Sequence, residues 1–224
     1  MSGLILYHGS SEIVERPEYG RGKEYNDYGR GFYCTEHREL AKEWACTEGR
    51  DGFVNQFVLD LEGLRELNLS AKESSTLHWL ALLVMHRKLR LATPLMRRSV
   101  RWLKEHFAIN VNEFDVIRGY RADDSYFSFA RAFLNNEITL GQLEYAMHLG
   151  KLGEQVVIKS EKAFSQLRFL DYEAVDNKQY YPKRKRRDEQ ARVAYLEELE
   201  REEVQGVYIR DLMHKEGETD VARL

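Results

Sequence analysis

Cysteine is scarce in this sequence of 224 residues, which contains only Cys34 and Cys46. Two cysteines cannot form a disulfide scaffold or a four-cysteine zinc site. No apolar run approaches the roughly 18–20 residues that a membrane helix needs, and no basic leader followed by a long apolar stretch is visible after Met1. Lysine and arginine total 34 against 37 acidic residues, so the basic excess of a protein that coats nucleic acid is absent. We therefore expect a soluble cytoplasmic protein with no membrane partner.

The composition and length favour one globular domain with an appendage. Hydrophobic residues make up 43% of the chain, which is enough for a sizeable core. Strands and grouped helices do not alternate strictly, which predicts an α+β fold. Apolar residues recur at helical spacing over about 72–108, with Pro94 as a break or a first-turn residue. We divide the chain into residues 1–172, which include this helical insertion, and a charged helical extension at 173–224.

Short apolar runs and turn residues place the individual elements. Strands are predicted at 4–7, 31–35, 53–60, 114–117, 155–159, 168–171 and 207–210. Further helices are predicted at 35–45, 125–135, 139–149, 160–167 and 188–203. Thr35 and Thr139 are the expected N-caps of their helices.

Taken singly, the polar candidates are weak indicators of function. A lone histidine at a strand end, such as His8, is more often a structural hydrogen-bonding group than a catalytic one. Asp123 and Asp124 are better explained by loop capping than by a metal site, because no third ligand is near in sequence. The basic run Lys183–Arg187 could bind nucleic acid, but acidic residues follow it closely, which favours a solvated linker.

Three motifs that occur in order carry more weight. The first is the Tyr-His-Gly-Ser run at residues 7–10. The second is Gly-Arg-Gly-Phe-Tyr at 29–33, which is followed eleven residues later by Trp44. The third is the Glu-Gln-Val-Val-Ile run that opens a strand at residue 154. In this combination the sequence resembles the ADP-ribosyltransferase superfamily, in particular its His-Tyr-Glu branch, which includes diphtheria toxin and the poly(ADP-ribose) polymerases. Within that superfamily it looks most like a bacterial domain family of unknown function, over roughly residues 4–172.

The resemblance implies a split β-sandwich with a cleft for NAD, which is consumed as a substrate. In this scheme His8 hydrogen-bonds the adenosine ribose, and the backbone of Gly9 holds the nicotinamide amide. Ser10 completes the first NAD-binding motif. Tyr33 and Trp44 pack against the nicotinamide ring, whose planar cation suits two aromatic faces.

The third motif leaves two candidates for the side chain that holds the nicotinamide ribose. Glu154 and Gln155 point to opposite faces of a strand. Gln155 is the better match by position, because it begins the apolar run. Glu154 is the better match by chemistry, because a carboxylate stabilises the positive charge that develops when nicotinamide leaves. Both stay candidates.

The implied activity is transfer of ADP-ribose from NAD to a protein or nucleic-acid acceptor. A single unit per event is expected, because the superfamily members that build chains keep the glutamate. A loop with Arg118 and Arg121 could line the acceptor side or be held by ion pairs. The resemblance also accommodates a bacterial toxin that is restrained by a neutralising protein partner. The alternative is a non-catalytic module that binds NAD or a protein through a degenerate site, and the glutamine at 155 favours it.

Overall fold

A computed structural model describes residues 3–71, 76–122, 124–148, 154–200 and 206–215. Within these residues the chain forms seven strands and eight helices, which confirms the predicted α+β class. The strands are β1 (Leu4–Ser10), β2 (Phe32–Cys34), β3 (Gly52–Leu59), β4 (Glu66–Asn68), β5 (Val116–Tyr120), β6 (Glu154–Ile158) and β7 (Leu167–Val175). The helices are α1 (Arg38–Ala45), α2 (Thr76–His86), α3 (Pro94–His106), α4 (Asp124–Leu134), α5 (Leu140–His148), α6 (Glu161–Ser165), α7 (Asn177–Leu199) and α8 (Ile209–Lys215). No described helix has the length and apolar character needed to cross a membrane.

The strands form two sheets that meet beside the first two motifs. The first sheet has the order β1-β3-β7 and is antiparallel throughout. The second has the order β2-β6-β5-β4, in which only β4 and β5 are parallel. Tyr7 and Thr35 join the sheets, because each donates its N–H to the other's carbonyl at 2.8 and 2.9 Å. This bridge places His8 of β1, an edge strand of the first sheet, next to Tyr33 of β2, an edge strand of the second sheet.

Successive side chains of β6 point to opposite faces of its sheet, so they pack in different clusters of the core. Val156 and Ile158 face the first sheet and pack in a cluster that includes Leu6 and Phe57. Val157 points the other way, into a larger cluster formed mainly by helices α2 to α5 and α8. A third cluster lies where α1 and α7 cover the first sheet. Gln155 shares the face of Val157, and Glu154 shares the face of Val156.

The helical insertion agrees with the prediction over its described part. Helices α2 and α3 are separate, and Thr93 caps α3 by accepting the Met96 N–H at 3.1 Å, with Pro94 in the first turn. Residues 72–75 of the predicted insertion lie outside the described residues. Thr139 caps α5 as predicted, because its hydroxyl accepts the Gln142 N–H at 3.1 Å while the Gln142 side chain accepts the Thr139 N–H at 2.9 Å.

Two local predictions are wrong. Thr35 does not cap α1, which begins at Arg38 with His37 at the N-cap position. The Thr35 hydroxyl instead accepts the His37 N–H at 3.2 Å, because the Thr35 backbone is already held in the bridge to Tyr7. The strand predicted at 207–210 is also absent, since α8 begins at Ile209.

The C-terminal extension packs against the rest of the protein, although its charged composition favours an appendage. Residue 172 lies inside β7, and α7 begins at Asn177 rather than near 188. The basic run Lys183–Arg187 is therefore helical, and the interpretation as a solvated linker is wrong. Arg184 donates to the Cys46 carbonyl at 3.1 Å, and Arg187 pairs with Glu43 of α1 through two contacts of 2.7 and 2.8 Å. These contacts tie α7 to α1.

Candidate functional site

Five of the predicted site residues line one cleft. The cleft has a volume of about 870 Å³ and opens beside the junction of the two sheets. Its lining includes His8, Gly9, Tyr33, Trp44 and Gln155. These residues come from β1, β2, α1 and β6, which are distant in sequence. Its volume falls within the range of roughly 300–1,000 Å³ that is typical of small-molecule sites.

The ring of His8 is held in a defined orientation. Its Nδ1 lies 2.7 Å from the carbonyl oxygen of Tyr33, so Nδ1 carries the proton and donates it. The imidazole also packs on Phe32, with ring centroids 4.3 Å apart. Burial lowers the pKa of His8, which keeps the ring neutral near pH 7. The neutral tautomer leaves Nε2 as a hydrogen-bond acceptor, which is what a ribose hydroxyl requires.

Tyr33 is fixed by the glycine-rich loop that precedes it. Its hydroxyl donates to the Gly29 carbonyl at 2.6 Å and accepts the Tyr28 N–H at 3.1 Å. Gly29 has a φ of +74°, and a Cβ there would lie 2.9 Å from the ring of His86, so glycine is required on both counts. Burial raises the pKa of Tyr33, so the phenol stays protonated. Tyr33 therefore offers a ring to the cleft rather than an acid or a base.

Trp44 carries a cation on its face. The guanidinium carbon of Arg121 lies 4.4 Å from the ring centroid, at the distance of a cation–π contact. The indole Nε1 is buried and has no hydrogen-bond partner among the described residues. A buried donor without an acceptor costs free energy. Trp44 also lines a smaller neighbouring pocket of about 360 Å³, so it forms part of the wall between the two cavities.

Gly9 has a packing role that the resemblance does not imply. A Cβ at this position would lie 2.1 Å from the Ala41 carbonyl oxygen and 2.8 Å from the Ala45 nitrogen. Glycine therefore lets α1 pack directly on β1. Because α1 carries Trp44, this close contact also sets the position of one wall of the cleft.

Ser10 and Glu154 are not among the residues that line the cleft. The Ser10 hydroxyl donates to the Glu12 carbonyl and accepts from Asn55 Nδ2 at 3.2 Å. Asn55 is fully buried and accepts the Val14 N–H at 2.8 Å, so it organises the turn after β1. The structure thus brings Gln155, and not Glu154, together with the other predicted residues.

The cleft lining is strongly basic, with six cationic side chains and two carboxylates. The cations are Arg16, Arg21, Lys23, Arg87, Arg121 and Arg184. The carboxylates are Glu18, which pairs with Arg21 at 3.2 Å on the surface, and Asp27, which is buried. A cavity with this balance of charge attracts anions such as a pyrophosphate. Sequence reasoning assigned no role to Asp27, although it lies in the run that leads to Tyr33.

The remaining polar candidates lie in other environments. Arg118 lies in β5 and not in the predicted loop, and it is held by ion pairs with Glu36 and Glu66. Arg121 lines the cleft. Asp123 lies outside the described residues. Among the described residues, no group of three His, Cys, Asp or Glu side chains could hold a metal ion.

Residues 4–169 match the DUF3990 family, which is described as a protein of unknown function. The chain belongs to the DUF3990 family. The match includes all the predicted site residues and six of the seven strands in full, and it ends inside β7. Arg184 of α7 therefore completes the cleft of this DUF3990 protein from outside the matched segment. No curated protein and no solved structure matches the chain.

Proposed function

We propose that this DUF3990 protein is an NAD-dependent mono-ADP-ribosyltransferase that acts on a protein or nucleic-acid acceptor. The proposal depends on one observation, which is that His8, Tyr33, Trp44 and Gln155 line a single cleft. The resemblance to the His-Tyr-Glu branch assigns these residues to one NAD site. A structure in which they were far apart would have contradicted the proposal. The two sheets that meet at Tyr7 and Thr35 also agree with the split β-sandwich that the resemblance implies.

The side chains present suit the parts of NAD. The neutral His8 ring offers Nε2 to a ribose hydroxyl. Trp44 and Tyr33 offer aromatic rings to the nicotinamide. The arginines and Lys23 supply the positive charge that the pyrophosphate needs. Arg121 lies where a planar cation would stack on Trp44, so NAD binding would displace its guanidinium from that face.

The proposed reaction exchanges one bond at C1 of the nicotinamide ribose. The C1–N bond breaks, and its electron pair leaves with nicotinamide. A nucleophilic atom of the acceptor forms the new bond to C1 and loses its proton to solvent or to a base. The residues of the cleft hold the two ends of NAD and thereby fix the ribose between them, which lowers the entropic cost of the step.

A binding module is the second candidate, and Gln155 is the observation that favours it. An amide at the third motif position carries no formal charge, so it binds a hydroxyl without stabilising a cation. In that case the cleft would hold NAD intact, and the protein would act by contact.

Incubation of the protein with labelled NAD and a cell lysate distinguishes these functions. We expect label on a protein or nucleic-acid band, with loss of label in His8→Ala and in Tyr33→Ala. Matched controls are His37→Ala and Tyr172→Ala, which remove the same residue types from exposed positions outside the cleft. Circular dichroism verifies that each variant is folded. NAD binding by calorimetry without label transfer or nicotinamide release would favour the binding module, and absence of NAD binding would refute both the transferase and an NAD-binding module.

A further inference from the structure

Asp27 is a buried carboxylate in the lining of the cleft. The residue is 6% exposed and precedes Tyr28, which is fully buried. The Tyr28 hydroxyl donates to the Tyr120 carbonyl at 2.7 Å, which anchors this loop to the end of β5. A buried carboxylate is costly unless hydrogen bonds or charges stabilise it. A carboxylate at this position therefore requires stabilising partners.

The Asp27 carboxylate is bound directly to the third motif. Its Oδ2 accepts from Gln155 Nε2 at 2.9 Å and from the Ala122 N–H at 2.9 Å, and its Oδ1 lies 3.6 Å from Arg87 Nε. Burial raises the pKa of Asp27, while the Ala122 and Gln155 hydrogen bonds and the Arg87 charge oppose that rise. These donors, together with the Arg121 charge, stabilise the ionised carboxylate against the cost of burial, which remains the largest influence on the pKa of Asp27.

These contacts determine which way the Gln155 amide points. Its Nε2 donates both to Asp27 Oδ2 and, at 3.3 Å, to the Tyr120 carbonyl. The reversed amide would set its oxygen against two acceptors, so only this orientation satisfies the group. The amide oxygen Oε1 is therefore directed away from both acceptors. A carboxylate hydrogen-bonded to the amide nitrogen also increases the partial negative charge on Oε1.

We propose that Asp27 is a positioning residue for ADP-ribose transfer, which fixes Gln155 with Oε1 available to the ribose and supplies the negative charge that Gln155 lacks. This inference rests on the proposed function. In the step where the C1–N bond breaks and nicotinamide leaves with the electron pair, positive charge develops on the ribose. Oε1 holds a ribose hydroxyl, and the Asp27 charge acts on the ribose through the polarised amide.

Steady-state release of nicotinamide from NAD tests the proposal. We expect Asp27→Asn to lower kcat about 100-fold, the size of effect seen when one preorganised electrostatic group is removed, and to change KM by less than about threefold. Asp115→Asn is the matched control. Asp115 also accepts a backbone N–H, from Arg65 at 2.7 Å, but lies outside the cleft. We expect it to affect thermal stability and leave kcat unchanged.

An exchange of the two groups separates positioning from a purely structural role. The double variant Asp27→Asn/Gln155→Glu keeps one amide and one carboxylate in hydrogen-bond contact but reverses their positions, at the cost of the hydrogen bond from residue 155 to the Tyr120 carbonyl. We expect it to recover at least tenfold of the kcat lost in Asp27→Asn, because the carboxylate again acts at the ribose. In the protein without NAD, we also expect the side-chain amide protons of Gln155 to shift upfield in the NMR spectrum of Asp27→Asn, since they lose an anionic acceptor.

The outcomes separate this inference from the function on which it rests. An active wild type whose kcat survives Asp27→Asn would overturn the role of Asp27 alone. So would an exchange variant that recovers thermal stability without recovering kcat. A folded wild type that neither binds NAD nor releases nicotinamide would overturn the proposed function and this inference together.

Discussion

The contact between Arg187 and Glu43 predicts how strongly α7 stabilises the protein. Glu43 is 5% exposed on α1, and the guanidinium of Arg187 approaches both of its carboxylate oxygens, at 2.7 and 2.8 Å. Arg187→Met would leave Glu43 buried with this partner removed, and breaking a buried pair in this way costs about 3–5 kcal/mol. The Arg187 side chain is 27% exposed, so water screens part of the attraction between the two charges. We therefore take the lower end of that range, about 3 kcal/mol.

Thermal unfolding followed by circular dichroism measures this loss. For a protein of this size, about 3 kcal/mol lowers Tm by about 6–12 °C. Arg192→Met is the matched control in the same helix. Arg192 pairs with Asp188 but is 64% exposed, so its loss costs at most about 0.5 kcal/mol. The double variant Glu43→Met/Arg187→Met should regain most of the stability, because no buried charge is left unpaired. Equal shifts for Arg187→Met and Arg192→Met would refute the reasoning.

Two further predictions concern the first motif. Gly9→Ala should cost about 3 kcal/mol, the upper end for overpacking, because the new Cβ meets the backbone of α1 rather than a movable side chain. Gly49→Ala, which has open space but a φ of +68°, should cost only about 1 kcal/mol, so equal denaturation midpoints would contradict the packing role. His8 has a folded pKa below its ordinary value of 6.5, so the unfolded state binds more protons and stability should fall as the pH drops below about 6.5. Urea unfolding of the wild type and His8→Phe at pH 7.5 and 5.5 should show a smaller loss in the variant, and identical losses would contradict the assignment.

The sequence predicted the regular elements where local and tertiary forces agree. The insertion helices, the strand after Gln155 and the cap at Thr139 all follow from local patterns that the core also favours. The segment at 207–210 shows the opposite case. Its β-branched residues favour a strand, but Ile209 and Leu212 lie one helical turn apart and both pack into the helical core. Burial of that face outweighs the local propensity.

The roles of the buried polar residues could not be predicted from the sequence. Asp27 reads as part of a polar glycine-rich loop, and Asn55 reads as an interruption in a strand. Their roles depend on partners that are distant in the chain: Asp27 contacts Gln155 128 residues away, and Asn55 contacts Val14 41 residues away. Apolar periodicity reports which residues avoid water, but it carries no information about which polar groups find each other inside. The motif residues His8 and Tyr33 were found through the resemblance and not through their spacing alone.

The end of the DUF3990 match inside β7 has a practical consequence for recombinant work. A fragment cut at residue 169 would lose the part of β7 that pairs with β3 from Gly52 to Gln56. It would also lose Val175 and Tyr180, which cover the apolar surface around Val54. The exposed strand would present unpaired N–H and C=O groups beside newly uncovered apolar side chains, which is the combination that promotes edge-to-edge aggregation. Expression of this protein should therefore retain α7.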